Sequence, residues 1–575
     1  MITTEKDVCS AASKKTTTAT DTKDFSPETP VDKAWNAYIF REGKTGLRGP
    51  DLVRELSGRL RTLHQSDISR TELLDLLLRA GELECALKDL DSTHADVGAK
   101  ITDSVADAVV SRSPLHTDEL AVLVRRIDAP EQVQVAPPEG FAYYALHPLD
   151  LADLVRAANC KSGFAAVIGI RSIGTTLSAV VQATFRAERV KADRITVRPV
   201  GHPYNRTTKF SPEQERWITT MRSVNAQFYV VDEGPGMSGS SFLSVGEALL
   251  DVGVSRPAIS FLASRRADPN SLTAPNAAAR WAGFRAYYTQ PTHYLPRGAT
   301  DYIAGGIWRA RAFQSEQDWP ASWLQMERLK FLSQDGACLF RFEGFGRFGE
   351  DVYRRSTKVA EAGFGPQPHG REEGFGKYPM VNGRYLSASD TDRTVLTQIA
   401  EYCAFRARAI PAHLASTPEL ETMLEFNVKE EFGVELPPHL ARLPIERPVI
   451  ADGRMLPHKW IDTEAQILKV DSATHGDDHF FPGPTDIAWD LAGAIVEWNL
   501  NAEAADFLLQ AYKTRSGDDA AERLAAYRLA YGIFRCAYCK MAAAASAGMV
   551  EYHRLRREYL YYREQARVFV TGQKP

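Results

Sequence analysis

Tyr229-Val-Val-Asp-Glu-Gly-Pro-Gly-Met-Ser-Gly-Ser-Ser241 is the stretch that decides the reading of this 575-residue chain. The apolar run Phe228 to Val231 predicts a buried strand, and Asp232 and Glu233 follow it directly. A loop of Gly, Pro and Ser comes next, then Phe242-Leu-Ser-Val-Gly-Glu-Ala-Leu-Leu, whose apolar spacing predicts an amphipathic helix. A small-residue loop at a helix N-terminus presents amides and hydroxyls to an anion, above all a phosphate. Two carboxylates at a strand end can accept hydrogen bonds from a pair of sugar hydroxyls. The plainer alternative is a Gly-rich turn between strand and helix in any doubly wound sheet.

The flanking sequence alternates in the same way. Strands are predicted at Phe164 to Ile170, Arg194 to Arg198 and Ala258 to Leu262, with helices at Thr175 to Glu188, Pro212 to Val224 (capped by Ser211) and Phe242 to Val252. Strands alternating with helices imply a parallel sheet with right-handed crossovers. Such sheets bind ligands beyond the C-terminal ends of their strands, where Asp232 and Glu233 are expected.

The order apolar strand, acidic pair, small-residue loop resembles the ribose-phosphate signature of type I phosphoribosyltransferases. Ser238-Gly-Ser-Ser241 matches the phosphate loop, one residue further from the acidic pair than in the family pattern. The resemblance implies a domain over about 140–290 that binds 5-phosphoribosyl 1-pyrophosphate with Mg and transfers phosphoribosyl to an acceptor the sequence does not name. It gives Asp232 and Glu233 the catalytic positions, and Gly236, Ser238, Gly239, Ser240 and Ser241 the 5-phosphate. The loop after the first strand, with Arg171, Ser172, Gly174 and Thr175, matches the pyrophosphate position, where an Arg fork suits the ligand. The stretch Arg198-Pro-Val-Gly-His-Pro-Tyr-Asn-Arg206 corresponds to a closing loop, with Arg198, His202 and Arg206 as candidates. An ordinary surface turn reads it equally well. Ser264-Arg-Arg-Ala-Asp-Pro-Asn270 is a further candidate for a substrate contact.

The rest of the chain falls around this domain. Residues 1–30, low in apolar content and rich in Thr, Lys, Ser and Asp, predict a disordered tail. Residues 31–128 predict a helical segment that packs or caps, 129–290 the central domain, 291–324 an aromatic-rich connector, and 325–575 a helix-rich unit. The fold expected is therefore multidomain, α/β in its doubly wound centre and α+β beyond it.

In the last unit, Cys338-Leu-Phe-Arg-Phe-Glu-Gly-Phe-Gly-Arg-Phe-Gly349 is followed by a helical pattern and by Tyr378-Pro-Met-Val-Asn-Gly-Arg-Tyr-Leu386. Asp452-Gly-Arg-Met-Leu-Pro-His-Lys-Trp460, Ile467-Leu-Lys-Val-Asp471 and Asp490-Leu-Ala come later. This order resembles the aminoglycoside and choline phosphotransferase-like kinases. It places Arg341 where a strand Lys is usual, His458 in the catalytic loop and Asp471 as metal ligand, and leaves ATP as a candidate nucleotide. The departure is that no Asp stands two residues after His458, so kinase chemistry is altered or absent. His475-Gly-Asp-Asp-His479 makes Asp471, His475, Asp477 and Asp478 candidate metal ligands, against a plain polar loop. Cys536 and Cys539, one helical turn apart and without a second pair, suit helix packing better than zinc or redox chemistry.

Composition narrows the partners. A net charge of −4 gives no general case for nucleic acid, and no apolar run approaches a membrane span. Seven scattered cysteines suit a reducing cytoplasm. Two rival readings stand beside the enzyme: a regulator that senses nucleotides without turnover, and a scaffold whose kinase-like unit docks a partner.

Overall fold

The computed structural model describes residues 45–571, leaving aside 64–67, 136–137, 159–162, 203, 237, 291–293, 413–417, 477–479 and 481–483. The described residues belong to one compact unit. The boundaries expected near 128, 290 and 324 therefore fall inside that unit, and the expected tail lies outside the described residues.

Helices α1 (Gly49–Thr62), α2 (Arg70–Asp89), α3 (Ala95–Ser111) and α4 (Thr117–Arg125) open the chain. Ser69 caps α2 in a reciprocal box with Glu72, satisfying two amides that a helix end leaves without partners. Helices α2 and α3 pack directly on the central sheet's helix Ile173–Ala187. Gly81 of α2 lets the helix lie so close to the centre that an added Cβ would stand 2.0 Å from Thr176 Oγ1.

The centre is built from α5 (Pro148–Ala158), β1 (Phe164–Ile170), α6 (Ile173–Ala187), β2 (Lys191–Val197), α7 (Pro212–Ser223), β3 (Gln227–Val231), α8 (Ser240–Asp251), β4 (Ile259–Ala263) and β5 (Arg285–Tyr288). Its five strands run in the order β2-β1-β3-β4-β5, every neighbouring pair parallel. Alternate residues serve opposite faces, as a period of two requires. Ala165, Val167, Tyr229 and Val231 pack with Leu177 and Val181 of α6. Ala166, Ile168, Phe228 and Val230 pack with Ile218 of α7 and Phe242 of α8. A sheet apolar on both faces accounts for the unbroken hydrophobic runs in β1 and β3.

Beyond it, β6 (Ala299–Tyr302), β7 (Lys330–Ser333), β8 (Cys338–Phe342), α9 (Gly346–Glu361), β9 (Gly370–Glu372) and β10 (Phe375–Pro379) form an antiparallel sheet ordered β6-β7-β8-β10-β9, with α9 in the crossover. Phe331, Phe340, Phe342 and Phe375 of this sheet share the core that runs under the central sheet and the N-terminal helices. Then α10 (Arg393–Ala409), β11 (Trp460–Asp462), β12 (Ile467–Lys469), α11 (Ala488–Glu497), α12 (Ala521–Ala545) and α13 (Val550–Thr571) enclose a separate core around Trp489, Tyr527 and Tyr531. Cys536 and Cys539 are buried in it as packing residues, and burial raises both thiols. Among the described residues no helix is long and apolar enough to cross a membrane.

Candidate functional site

The middle strand of the parallel sheet delivers Asp232 and Glu233 to its C-terminal edge. Hydrogen bonds along the neighbouring strand hold the turn: Asp232 N donates to Leu262 O at 3.3 Å, and Ser264 N to Glu233 O at 2.6 Å. Glu233 Oε2 accepts from Gly140 N at 2.9 Å. A Cβ at Gly140 would stand 2.9 Å from the Glu233 carboxyl carbon, so only glycine lets the segment approach this closely. Burial, reinforced by the charge of Glu233, lifts the Asp232 carboxyl from 3.8 to about 8, against the pull of the Glu233 amide and Arg198. Asp232 therefore favours its protonated form at neutral pH.

The loop that follows turns through Gly236 and Gly239, both with positive φ, and enters α8 at Ser240. Ser238 Oγ accepts from Ser240 N at 3.2 Å and lies 3.0 Å from Ser240 Oγ. Ser240 is buried and Ser241 belongs to the first turn. Helix N-termini gather amide donors and positive potential, which suits an anion.

The β1–α6 loop closes on the same edge. A Cβ at Gly174 would come within 2.6 Å of Val231 O and 3.4 Å of Asp232 Oδ1. Ser172 has φ +105°, a conformation that side chains rarely adopt and that marks stored strain. Thr175, in the first turn of α6, is fully buried.

Arg171 and Arg198 stand beside the loop but are engaged. Arg171 Nη1 donates to Lys88 O at 2.9 Å and to Asp89 Oδ1 at 3.2 Å. Arg198 Nη2 reaches Asp89 Oδ2 at 2.6 Å, and its Nη1 donates to Arg171 O at 2.8 Å. Asp89, at the C-terminal end of α2, was no candidate from sequence, since it lies about a hundred residues upstream and in a different element. His202 and Arg206 sit on the hairpin Val200–His202/Asn205–Thr207, whose base reaches α8 through Thr208 Oγ1 and Ser244 Oγ at 2.8 Å. His202 Nδ1 accepts from Tyr204 N at 3.3 Å, and Arg206 Nη1 donates to Pro199 O at 3.4 Å.

A second cleft lies between the antiparallel sheet and the helices after it. Arg341, His458 and Asp471 all line it. The arrangement differs from a metal site. Asp471 accepts from Arg341 Nη1 at 2.6 Å, Lys459 Nζ at 2.8 Å and Thr474 Oγ1 at 2.9 Å, with His475 Nε2 at 3.2 Å. Those cations hold its carboxyl well below the usual range in spite of burial. Among the described residues no group of three or more His, Cys, Asp and Glu could hold a metal. Asp477 and Asp478 lie outside the described residues. His458 stacks on Trp308 with ring centroids 5.8 Å apart, and burial drives it to the neutral form.

Asp452 and Asp490 order this cleft from below. Asp490 accepts from Asp452 N at 2.8 Å and Gly453 N at 3.0 Å, so the start of α11 pins the loop that carries His458. Asp452 itself is fully buried, with Lys469 Nζ at 3.1 Å and Tyr402 Oη at 2.5 Å.

The two sites are neighbours. The segment that gives Gly140 to Glu233 continues into Tyr143 and Tyr144, which line the second cleft. Arg265 lies over Tyr144 at 5.9 Å on one side, and Arg328 over Tyr143 at 5.2 Å on the other.

No protein-family model matches the chain, and no curated protein matches it. Solved structures do. A choline/ethanolamine kinase family protein from Mesorhizobium loti is 18% identical over 42% of this chain and 90% of its own, with TM-score 0.30. Choline kinase LicA from Streptococcus pneumoniae is 12% identical over 41% of this chain and 90% of its own, with TM-score 0.31. Macrolide 2'-phosphotransferase MphH from Brachybacterium faecium is 14% identical over 43% and 89%, with TM-score 0.25. At such TM-scores the likeness by itself decides nothing about activity.

Proposed function

We propose that the protein is a phosphoribosyltransferase-type enzyme, its central sheet binding 5-phosphoribosyl 1-pyrophosphate and passing the phosphoribosyl group to a nucleophilic acceptor. The observation that carries this reading is the convergence of three elements on one strand end. They are the Asp232–Glu233 pair, the small-residue loop into α8, and the β1–α6 loop whose Gly174 comes within a methyl group's reach of Asp232.

In this reading the α8 loop holds the 5-phosphate, and the carboxylates accept from the ribose hydroxyls. As the C1–oxygen bond to pyrophosphate breaks, its electron pair leaves with pyrophosphate and positive charge grows on the ribose ring. Asp232 and Glu233 face that charge. The acceptor's lone pair then forms the new bond to C1, and its proton passes to solvent. Asp232 favours its protonated form in the empty site, so accepting from the ribose hydroxyls requires its proton to pass to solvent on binding. Ser172 and the loop amides take the pyrophosphate, and Arg171 and Arg198 join them only by exchanging Asp89 for the ligand. Two carboxylates alone do not make a metal site; magnesium fits here only as a partner of the donor's own oxygens, offsetting charge on the leaving group.

The second cleft is given no phosphoryl transfer. Phosphoryl transfer relies on positioning and on metal charge, whereas Asp471 is taken by Arg341 and Lys459, and Trp460 stands two residues after His458. A ligand-sensing role for the cleft fits that occupancy better than catalysis.

The test is pyrophosphate release from 5-phosphoribosyl 1-pyrophosphate in the presence of magnesium and a panel of nucleobases and amines. Release that depends on one acceptor and is lost in Glu233→Gln supports the reading. Release unchanged in that variant removes the acidic pair from the mechanism.

A further inference from the structure

The second cleft encloses a cavity of about 80 Å³ with an uneven wall. Among the described residues six Lys and Arg side chains line it, Arg328, Lys330, Arg341, Arg454, Lys459 and Arg535, against two carboxylates, Glu327 and Asp471, while Glu343 and Glu497 pair Arg341 and Arg535 from outside the lining. The cations are held in place rather than swinging in solvent. Arg328 Nη2 donates to Thr474 O at 3.1 Å, and its Nη1 to Glu343 O at 3.4 Å. Lys459 Nζ lies 5.5 Å and Lys330 Nζ 5.8 Å from the Trp308 ring centroid, one aromatic plane shared by two ammonium groups. The nearest carboxylate to Lys330 is Glu327 at 3.8 Å, and that acid also accepts from Trp308 Nε1, Ser322 Oγ and Gly306 N. Burial and the neighbouring Lys459 and Arg341 charges pull the Lys330 ammonium down, a sign that positive charge is crowded here.

A divalent cation does not suit this wall. Of the two acids described on the wall, Glu327 is taken by Lys330, Trp308 and Ser322, and Asp471 is neutralised by Arg341 and Lys459, so freeing Asp471 would leave Lys459 buried without its carboxylate. An anion suits the wall directly, since buried like charges are relieved by the opposite charge. The guanidinium forks and ammonium groups match phosphate oxygens in particular.

We propose that the cleft between the antiparallel sheet and β11–β12 is a binding site for a phosphate-bearing anion, held by its Lys and Arg side chains without a divalent metal. Aromatic walls from Trp308, Trp323 and Tyr538 complete it, and Tyr143 and Tyr144 connect it to the segment that contacts Glu233.

Inorganic tripolyphosphate titrated calorimetrically into the full chain tests this, once in excess EDTA and once in magnesium. Binding in EDTA at least as tight as in magnesium is expected. Lys459→Ala and Arg454→Ala should each weaken it about tenfold or more with circular dichroism unchanged, while Asp232→Asn leaves it intact. Binding that requires magnesium overturns the proposal, as does a complete lack of binding. Loss in Asp232→Asn but not in Lys459→Ala moves the anion to the central site and overturns it too. Should either cleft variant misfold, Lys459→Arg decides: it keeps the charge, so it must retain binding.

Discussion

Replacing Asp232 by Asn should stabilise the empty protein, and by an amount that grows with pH. The folded carboxyl titrates at about 8 rather than its ordinary 3.8. Between those values the folded protein keeps a proton that the unfolded chain has lost. Stability from this source is therefore whole below about pH 4, drains away as pH rises, and is gone above about pH 8. At 1.36 kcal/mol per pH unit, the full interval is worth roughly 5–6 kcal/mol. Asp232 is only partly shielded from solvent, and part of its shift comes from the charge of Glu233 beside it. Screening and coupling reduce the realised gain to about 1–2 kcal/mol. Thermal melts of the wild type and Asp232→Asn from pH 4 to pH 9 read this out. The two melting curves should coincide near pH 4, separate progressively, and hold a constant gap above pH 8, with the Asn variant the more stable. A variant less stable than the wild type at pH 9 would refute the reasoning, because it would mean that the folded protein welcomes an ionised Asp232.

Further outcomes follow from the same contacts. Arg198→Ala removes the guanidinium that holds the Asp232 carboxyl down, so the separation in the melts should extend to more alkaline pH than in the parent. Glu84→Gln strips a buried, two-pronged partner from Arg194 (2.9 and 2.7 Å), and should cost about 3 kcal/mol in a thermal melt. Asp103 at 2.5 Å and the Ala99 carbonyl at 3.4 Å remain to compensate there. Gly174→Ala pushes a methyl group against Val231 O; it should fold, with a penalty of about 1–3 kcal/mol, and lose most ribose-phosphate affinity in a calorimetric titration.

What could be read from the sequence was what neighbours along the chain determine. Phe164 to Ile170 and Phe228 to Val231 announce buried strands because both faces are apolar. Ser211 before Pro212 announces a helix start, and the structure has the reciprocal cap with Gln214. β5 escaped, because Arg285-Ala-Tyr-Tyr288 is an edge strand with an exposed first residue and no alternation to betray it. The Gly344–Gly349 string begins α9 rather than preceding it, since Gly346 already lies within the helix.

At the candidate site, the acidic pair and its loop were legible because they are contiguous. The partners were not. Asp89 reaches Arg198 from α2, and Gly140 reaches Glu233 from a single turn ahead of the sheet; neither carries a local signal. The second cleft shows the same limit with the opposite consequence. Asp471 was found as an acid after a strand, but its role turns on Arg341, 130 residues away, and Lys459, 12 residues away. Only the fold reveals that the acid is already neutralised.

The central claim is most directly tested by calorimetric binding of 5-phosphoribosyl 1-pyrophosphate, with magnesium, to the wild type and to Asp232→Asn. A carboxylate that accepts from ribose hydroxyls contributes about 1.5–3 kcal/mol per bond, so the account predicts saturable binding that weakens about tenfold or more in the variant. Equal affinity in the two proteins, or no binding to either, would contradict it.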